Sequence, residues 1–363
     1  MASGSHQMLK VGIVGLPNVG KSTLFNSLTR AGALAANYPF ATIEPNTGMV
    51  AVPDSRLAKL KELYGSEKII PATVEFVDIA GLVAGASKGE GLGNKFLSHI
   101  RECAAIVQVV RDFTNDDIIH VAGRIHPKED IEIIKTELML ADIETLEKRI
   151  ASFGKQLKSN PKLKPVADLY QKVKTELESG QIPSLTDEER DELKDLNLLS
   201  LKPVMYLFNV SEADLTDSAK QKQLAEIVAP YPALFVNAKL EEELSELDEA
   251  DALSLIKEYG FAEPGLNRVI SSAYQLLGLQ SYLTAGPKEI RAWTIKNGSS
   301  APQAAGVIHT DFERGFIAAQ IVDFDDLVEA GSEAAAKAAG KVRTEGKTYI
   351  MQPGDVVEFR FNV

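Results

Sequence analysis

Short apolar runs alternate with helix-periodic stretches through the first third of the chain and again after residue 200. Residues 10–14 are apolar and end at Gly15; a loop follows, then a helical pattern from Lys21 to about Arg30. Residues 74–77 and 105–110 are further strand-like runs, and 203–208 and 233–236 follow later, each with a helical pattern behind it. Short, mainly apolar runs interleaved with helices predict an α/β fold with a mostly parallel sheet covered on both faces.

The alternation breaks at Asp130. Ile131, Ile134, Leu138 and Ala141 recur at helical spacing, followed by Leu146, Ile150, Phe153 and Leu157. After a proline-punctuated turn at 158–165, Val166, Leu169, Val173 and Leu177 resume it. Two helices with one narrow apolar seam each predict an antiparallel coiled-coil hairpin, its seam paired within the chain. Further helices are expected over 251–259 and 266–277. From about 279 short strands take over, at 289–295, 315–322, 348–351 and 356–361, with Pro353-Gly354 supplying a turn. The expected division is an α/β domain over 8–127 and 201–278, a helical insert over 128–200 and an α+β module over 279–363. Met1 to Gln7 (MASGSHQ) lacks an apolar core, reads as a tag and is set aside.

The chain has 363 residues, more than one hydrophobic core usually serves. It holds a single cysteine, Cys103, so no intrachain disulfide forms, which suits a reducing cytoplasm. No apolar run reaches 18 residues, so no membrane partner is expected. The net charge of −12 argues against wholesale binding to nucleic acid, and DNA is not an expected partner. Local exceptions exist: residues 155–164 carry four lysines, which suits contact with a phosphate backbone as well as it suits a solvated turn.

Gly15-Leu16-Pro17-Asn18-Val19-Gly20-Lys21-Ser22 matches the phosphate-binding pattern G-x-x-x-x-G-K-[ST], after a strand and before a helix. Its backbone N–H groups, through Asn18, Val19, Gly20 and on to Thr23, turn toward phosphate oxygens, and the helix N-terminus adds its positive dipole end. Lys21 is placed to reach the β- and γ-phosphates and the Ser22 hydroxyl to ligate Mg²⁺. Asp78-Ile79-Ala80-Gly81 supplies a carboxylate for the magnesium sphere and a Gly81 N–H for the γ-phosphate. Thr42 lies where a switch threonine completes that sphere, with Thr23, Thr29 and Thr47 as rivals. Residues 81–93 contain five glycines and read as a mobile switch.

The base is read elsewhere. A GTPase carries N-K-x-D at the end of a strand, its carboxylate accepting two hydrogen bonds from guanine. Here the run is Asn209-Val210-Ser211-Glu212. The asparagine is in place, but the lysine is Val210 and the aspartate is the longer Glu212. Adenine offers no such donor pair, so the reason to prefer guanine is gone. The loop Asn237-Ala238-Lys239 follows, placed to meet the base edge.

These residues resemble the Obg-like ATPase (YchF) family of P-loop NTPases related to translation-factor GTPases, from Met8 to Val363. The most specific stretches are residues 12–26, 37–46 and 76–94, with Ile118-Ile119-His120-Val121-Ala122-Gly123 beside them. The resemblance implies ATP preference, an N-x-x-E fourth motif, a coiled-coil insert and a ubiquitin-like C-terminal TGS domain. It also implies ribosome or ribosomal RNA association. Leu82 stands where Ras-like enzymes keep a water-positioning glutamine, and the resemblance assigns that task to His120; read alone, His120 is an ordinary loop histidine. Asn18 makes K⁺ a second candidate ion beside Mg²⁺. The expected protein is a slow, cytoplasmic, monomeric ATPase switch. A GTPase of the same fold and a nucleotide-gated scaffold remain the alternatives.

Overall fold

The computed structural model describes residues 9–31, 46–80, 92–113 and 126–362. Thr42, Gly81, Leu82, His120 and nearly all of the expected 81–93 switch lie outside them.

Twelve strands are described: β1 (Lys10–Val14), β2 (Thr47–Ala51), β3 (Lys68–Ile70), β4 (Thr73–Asp78), β5 (Ala105–Asp112), β6 (Val204–Val210), β7 (Ala233–Val236), β8 (Leu279–Ala285), β9 (Glu289–Lys296), β10 (Phe316–Asp323), β11 (Arg343–Glu345) and β12 (Asp355–Phe361). The helices before the second half of the chain are α1 (Lys21–Ala31), α2 (Ser55–Tyr64), α3 (Leu92–Arg101), α4 (Pro127–Ser159), α5 (Lys164–Glu178) and α6 (Asp187–Leu193). Then come α7 (Ser218–Val228), α8 (Ala238–Glu246), α9 (Glu249–Glu258), α10 (Gly265–Leu276), α11 (Ala301–Ile308), α12 (Thr310–Arg314), α13 (Phe324–Ala330) and α14 (Glu333–Ala338).

Six strands form the first sheet in the order β2-β4-β1-β5-β6-β7, and the pairings β4/β1, β1/β5, β5/β6 and β6/β7 are parallel. β5 is buried over seven successive residues, the mark of a strand covered on both faces. The parallel order brings the C-terminal ends of β1, β4, β5 and β6 to one edge, where open α/β sheets bind ligands.

The insert is a helical hairpin. Asn160 turns the chain by accepting the Lys162 N–H, and Pro161 and Pro165 start the next helical turns. Phe153 meets Tyr170 edge to face at 5.3 Å and Glu147 meets Lys174 at 3.8 Å, so α4 and α5 run antiparallel. Leu146, Phe153, Leu169, Val173 and Leu177 build their shared core. At the root, buried Asp142 accepts N–H bonds from Leu199 (2.8 Å) and Ser200 (2.7 Å), clasping the returning chain to α4. Burial raises the Asp142 pKa, against the lowering effect of these donors.

The second sheet runs β11-β10-β12-β8-β9-β3, mixing antiparallel pairs with the parallel pairs β12/β8 and β3/β9. It forms a compact unit with residues 49–74 and 270–362, while the rest of the described chain forms the other. The sequence leaves α2 and β3 with the first unit; the register of β3 on β9 gathers them into the second. Residues 348–351 are not a strand: Ala301 donates to the Tyr349 carbonyl (2.8 Å) and Met351 to that of Ser299 (2.9 Å), tying this stretch to the start of α11.

Candidate functional site

β1 feeds residues 15–20 from a strand whose Val11, Ile13 and Val14 are buried. The loop then takes left-handed backbone twice, at Asn18 (φ 65°) and Gly20 (φ 94°). Glycine is required at the second position, where a Cβ would lie 2.4 Å from Asn209 Nδ2. The first turn of α1 closes at once, Leu24 N–H donating to the Gly20 carbonyl at 3.0 Å. Loop and helix start face one cavity of about 610 Å³, lined among others by Asn18, Gly20, Lys21, Ser22, Thr23 and Asp78.

Asp78 enters from the end of β4, and its carboxylate takes the Lys21 ammonium in a short ion pair. A cation expected at the phosphates and a carboxylate expected at the metal sphere thus stand together on the cavity wall. The Ser22 hydroxyl and the Asp78 carboxylate are hard oxygen donors at the same cavity, so the residues present fit Mg²⁺. Asn46 joins them unforeseen: its backbone is left-handed (φ 69°), its carbonyl accepts the Asp78 N–H at 2.8 Å, and it lines the cavity. An asparagine closing the 37–46 stretch is the one sequence signal that pointed there.

Asn209, 2% exposed at the end of β6, joins the two halves of the site. Its Nδ2 donates to the Val19 carbonyl at 3.0 Å and its Oδ1 accepts the Ala238 N–H at 3.0 Å. Asn237 donates to the Val210 carbonyl at 2.8 Å and caps α8 by accepting the Leu240 N–H at 2.9 Å. The Val210 side chain is buried in a core with Phe208 and Leu224, so this residue offers the site only its backbone. Glu212 is exposed, and its carboxylate accepts the Tyr259 hydroxyl at 3.4 Å. Lys239 is exposed as well.

One turn along α8, Glu241 is 3% exposed. Its Oε1 accepts the Gly265 N–H at 2.9 Å, at the start of α10, while its Oε2 is buried with no hydrogen-bond partner among the described residues. Burial pushes its carboxyl up to about 7, against the N–H groups of Gly265 and Leu266 and the charge of Arg268.

A family model described as a 50S ribosome-binding GTPase matches residues 10–156, and the YchF-GTPase C-terminal model, described as a protein of unknown function, matches 279–362. The ribosome-binding ATPase YchF of Pasteurella multocida is 54% identical over 360 residues, spanning 98% of this chain and 99% of that protein. The chain belongs to the YchF family. The Bacillus subtilis YchF, of the same name, is 51% identical over 365 residues and is matched over its full length. The solved structure of the Schizosaccharomyces pombe YchF GTPase superposes with a TM-score of 0.86 at 40% identity, covering 97% of this chain and 98% of that one. A GTP-binding protein of Pyrococcus horikoshii, 22% identical with a TM-score of 0.61, shares the fold. The expected α/β P-loop architecture with its separate C-terminal module is therefore that of YchF proteins.

Proposed function

We propose that this YchF-family chain is a magnesium-dependent, ATP-hydrolysing switch that acts on the ribosome, in the cytoplasm and as a monomer. The observation that carries the base preference is Asn209-Val210-Ser211-Glu212 in place of N-K-x-D. Asn209 is spent on the Val19 carbonyl and the Ala238 N–H, and Val210 faces the core. Glu212 is the only carboxylate of the motif, and it stands exposed beside Tyr259. The relatives named ribosome-binding ATPase support the reading. The fission-yeast relative is named a GTPase, and Asn209 with Asn237-Ala238-Lys239, the cap and first residues of α8, stands at GTPase positions; GTP is the second reading.

In the proposed reaction the loop N–H groups and Lys21 hold the phosphates, and Asn209 keeps the loop in shape. Ser22 and Asp78, with Thr42, would hold Mg²⁺, which would supply charge neutralisation to the phosphates. Gly81 donates to the γ-phosphate, and His120 orients the attacking water. K⁺ at Asn18 is a further candidate cofactor.

Ribosome contact is assigned to the hairpin tip. Lys155, Lys158, Lys162 and Lys164 are exposed and in no ion pair among the described residues. Nearer the root, by contrast, Lys148, Arg149, Lys172 and Lys174 each pair with a carboxylate. Four phosphate contacts predict that affinity for purified 70S ribosomes falls about 10²-fold between 50 and 200 mM KCl. Co-sedimentation across that range tests the assignment, and salt-insensitive binding would contradict it.

A further inference from the structure

Beneath the phosphate loop lies a buried cation that none of the sequence motifs claims. Arg111, the penultimate residue of β5, is 1% exposed. The parallel register pairs it with Asn209 on β6. From these adjacent strand positions the two side chains reach consecutive carbonyls of the same loop. Arg111 Nη1 donates to Asn18 O at 3.4 Å, and Asn209 Nδ2 donates to Val19 O at 3.0 Å.

We propose that Arg111 is a positioning residue for the phosphate loop, holding the Asn18 carbonyl back so that the following N–H groups face the phosphates. The inference rests on the nucleotide-binding reading above. Its physical basis is the trans peptide, in which C=O and the next N–H point opposite ways. Drawing in the carbonyls of Asn18 and Val19 turns the N–H groups of Val19 and Gly20 outward. The left-handed backbone at Asn18 is one that asparagine tolerates better than other non-glycine residues, and contacts around it select that conformation. Arg111 is one of those contacts.

The guanidinium is itself fixed. Its Nε donates to the Phe113 carbonyl at 3.1 Å, and its Cζ lies 4.7 Å from the Phe113 ring centroid. Burial lowers its pKa and the carboxylate of Asp130, on the first turn of α4, raises it. An arginine stays protonated under such pressure, so a permanent positive charge lies behind the loop. That charge favours polyphosphate whatever the base. A lysine keeps the charge but cannot reproduce the planar fork that serves two carbonyls at once.

The test is calorimetric titration of Arg111→Lys with ATP, ADP and GTP in matched Mg²⁺ and salt, alongside steady-state turnover. Affinity for all three nucleotides should fall by a common factor of about ten, which is 1.4 kcal/mol. KM should rise by a similar factor, while kcat stays within about threefold and the ATP-to-GTP preference is unchanged, an outcome that a general loosening of the fold does not give. A folded Arg111→Lys that binds all three as the wild type does, or that loses base preference instead, overturns the proposal. Should that variant fail to fold, Arg111→Gln, which keeps a donor but loses both the fork and the buried charge, should weaken all three nucleotides by at least that common factor. Wild-type protein that binds none of the three would overturn the nucleotide reading instead.

Discussion

Replacing Lys21 with alanine is expected to lower ATP turnover by about 10²- to 10³-fold, the scale of losing one charged group aimed at a developing negative charge. The loss has two parts. The ammonium at the cavity wall disappears, and the Asp78 carboxylate that it neutralises is left facing the phosphates. Repulsion from that carboxylate weakens binding beyond what the missing cation alone explains. Titrated without Mg²⁺, where Asp78 has no metal to hold, Lys21→Ala combined with Asp78→Asn should therefore bind ATP more tightly than Lys21→Ala alone, and with Mg²⁺ it should recover none of the turnover. Phosphate release and ATP titration on the single and double variants check this. A double variant that, without Mg²⁺, binds ATP no better than Lys21→Ala would show that the ion pair has no part in the site's electrostatics.

The second large effect concerns stability and pH. Glu241 has an ordinary carboxylate value of 4.5 in the unfolded chain and about 7 in the folded one. Between those values the folded protein keeps a proton that the unfolded chain has released, so stability falls as pH rises through the window. Above pH 7 the whole penalty is in place, about 3 kcal/mol by the conversion of 1.36 kcal/mol per pKa unit. Glu241→Gln retains an acceptor for the Gly265 N–H and removes the charge. The variant should match the wild type near pH 5 and melt roughly 5–10 °C higher at pH 8. Thermal unfolding at pH 5, 6, 7 and 8 measures it, and parallel curves for the two proteins would contradict the account. The consequence reaches function because Glu241 shares α8 with Ala238, the partner of Asn209.

What could be read from the sequence was local. The phosphate loop, the strand ahead of it and the helix behind it lie within about 20 residues, and the hairpin seam repeats within each helix. Of the helices that the sequence reading leaves out, two carry a full capping box. Thr186 and Glu189 form a capping box at α6, and Ser300 and Gln303 another at α11. Residues 348–351 have strand-like composition, but their backbone partners are residue 299, in the turn before α11, and residue 301, at its first position. β3 is three residues long, too short for any alternation to show, and only its register on β9 assigns it. Arg111 was invisible for a different reason. Its partner Asn18 is 93 residues away, and its pairing with Asn209 exists only once β5 and β6 lie side by side. Lys21 and Asp78 were each picked out by motif, but that they meet is a fact of the β1/β4 pairing.

The central claim is the choice of base, and one measurement addresses it directly: titration of nucleotide-stripped protein with ATP and with GTP, in Mg²⁺ and matched salt. The account predicts that ATP binds at least about tenfold more tightly, a difference of about 1.4 kcal/mol. Tighter binding of GTP would contradict it, returning Asn209-Val210-Ser211-Glu212 to the role of a guanine-reading motif and the protein to the GTPase reading.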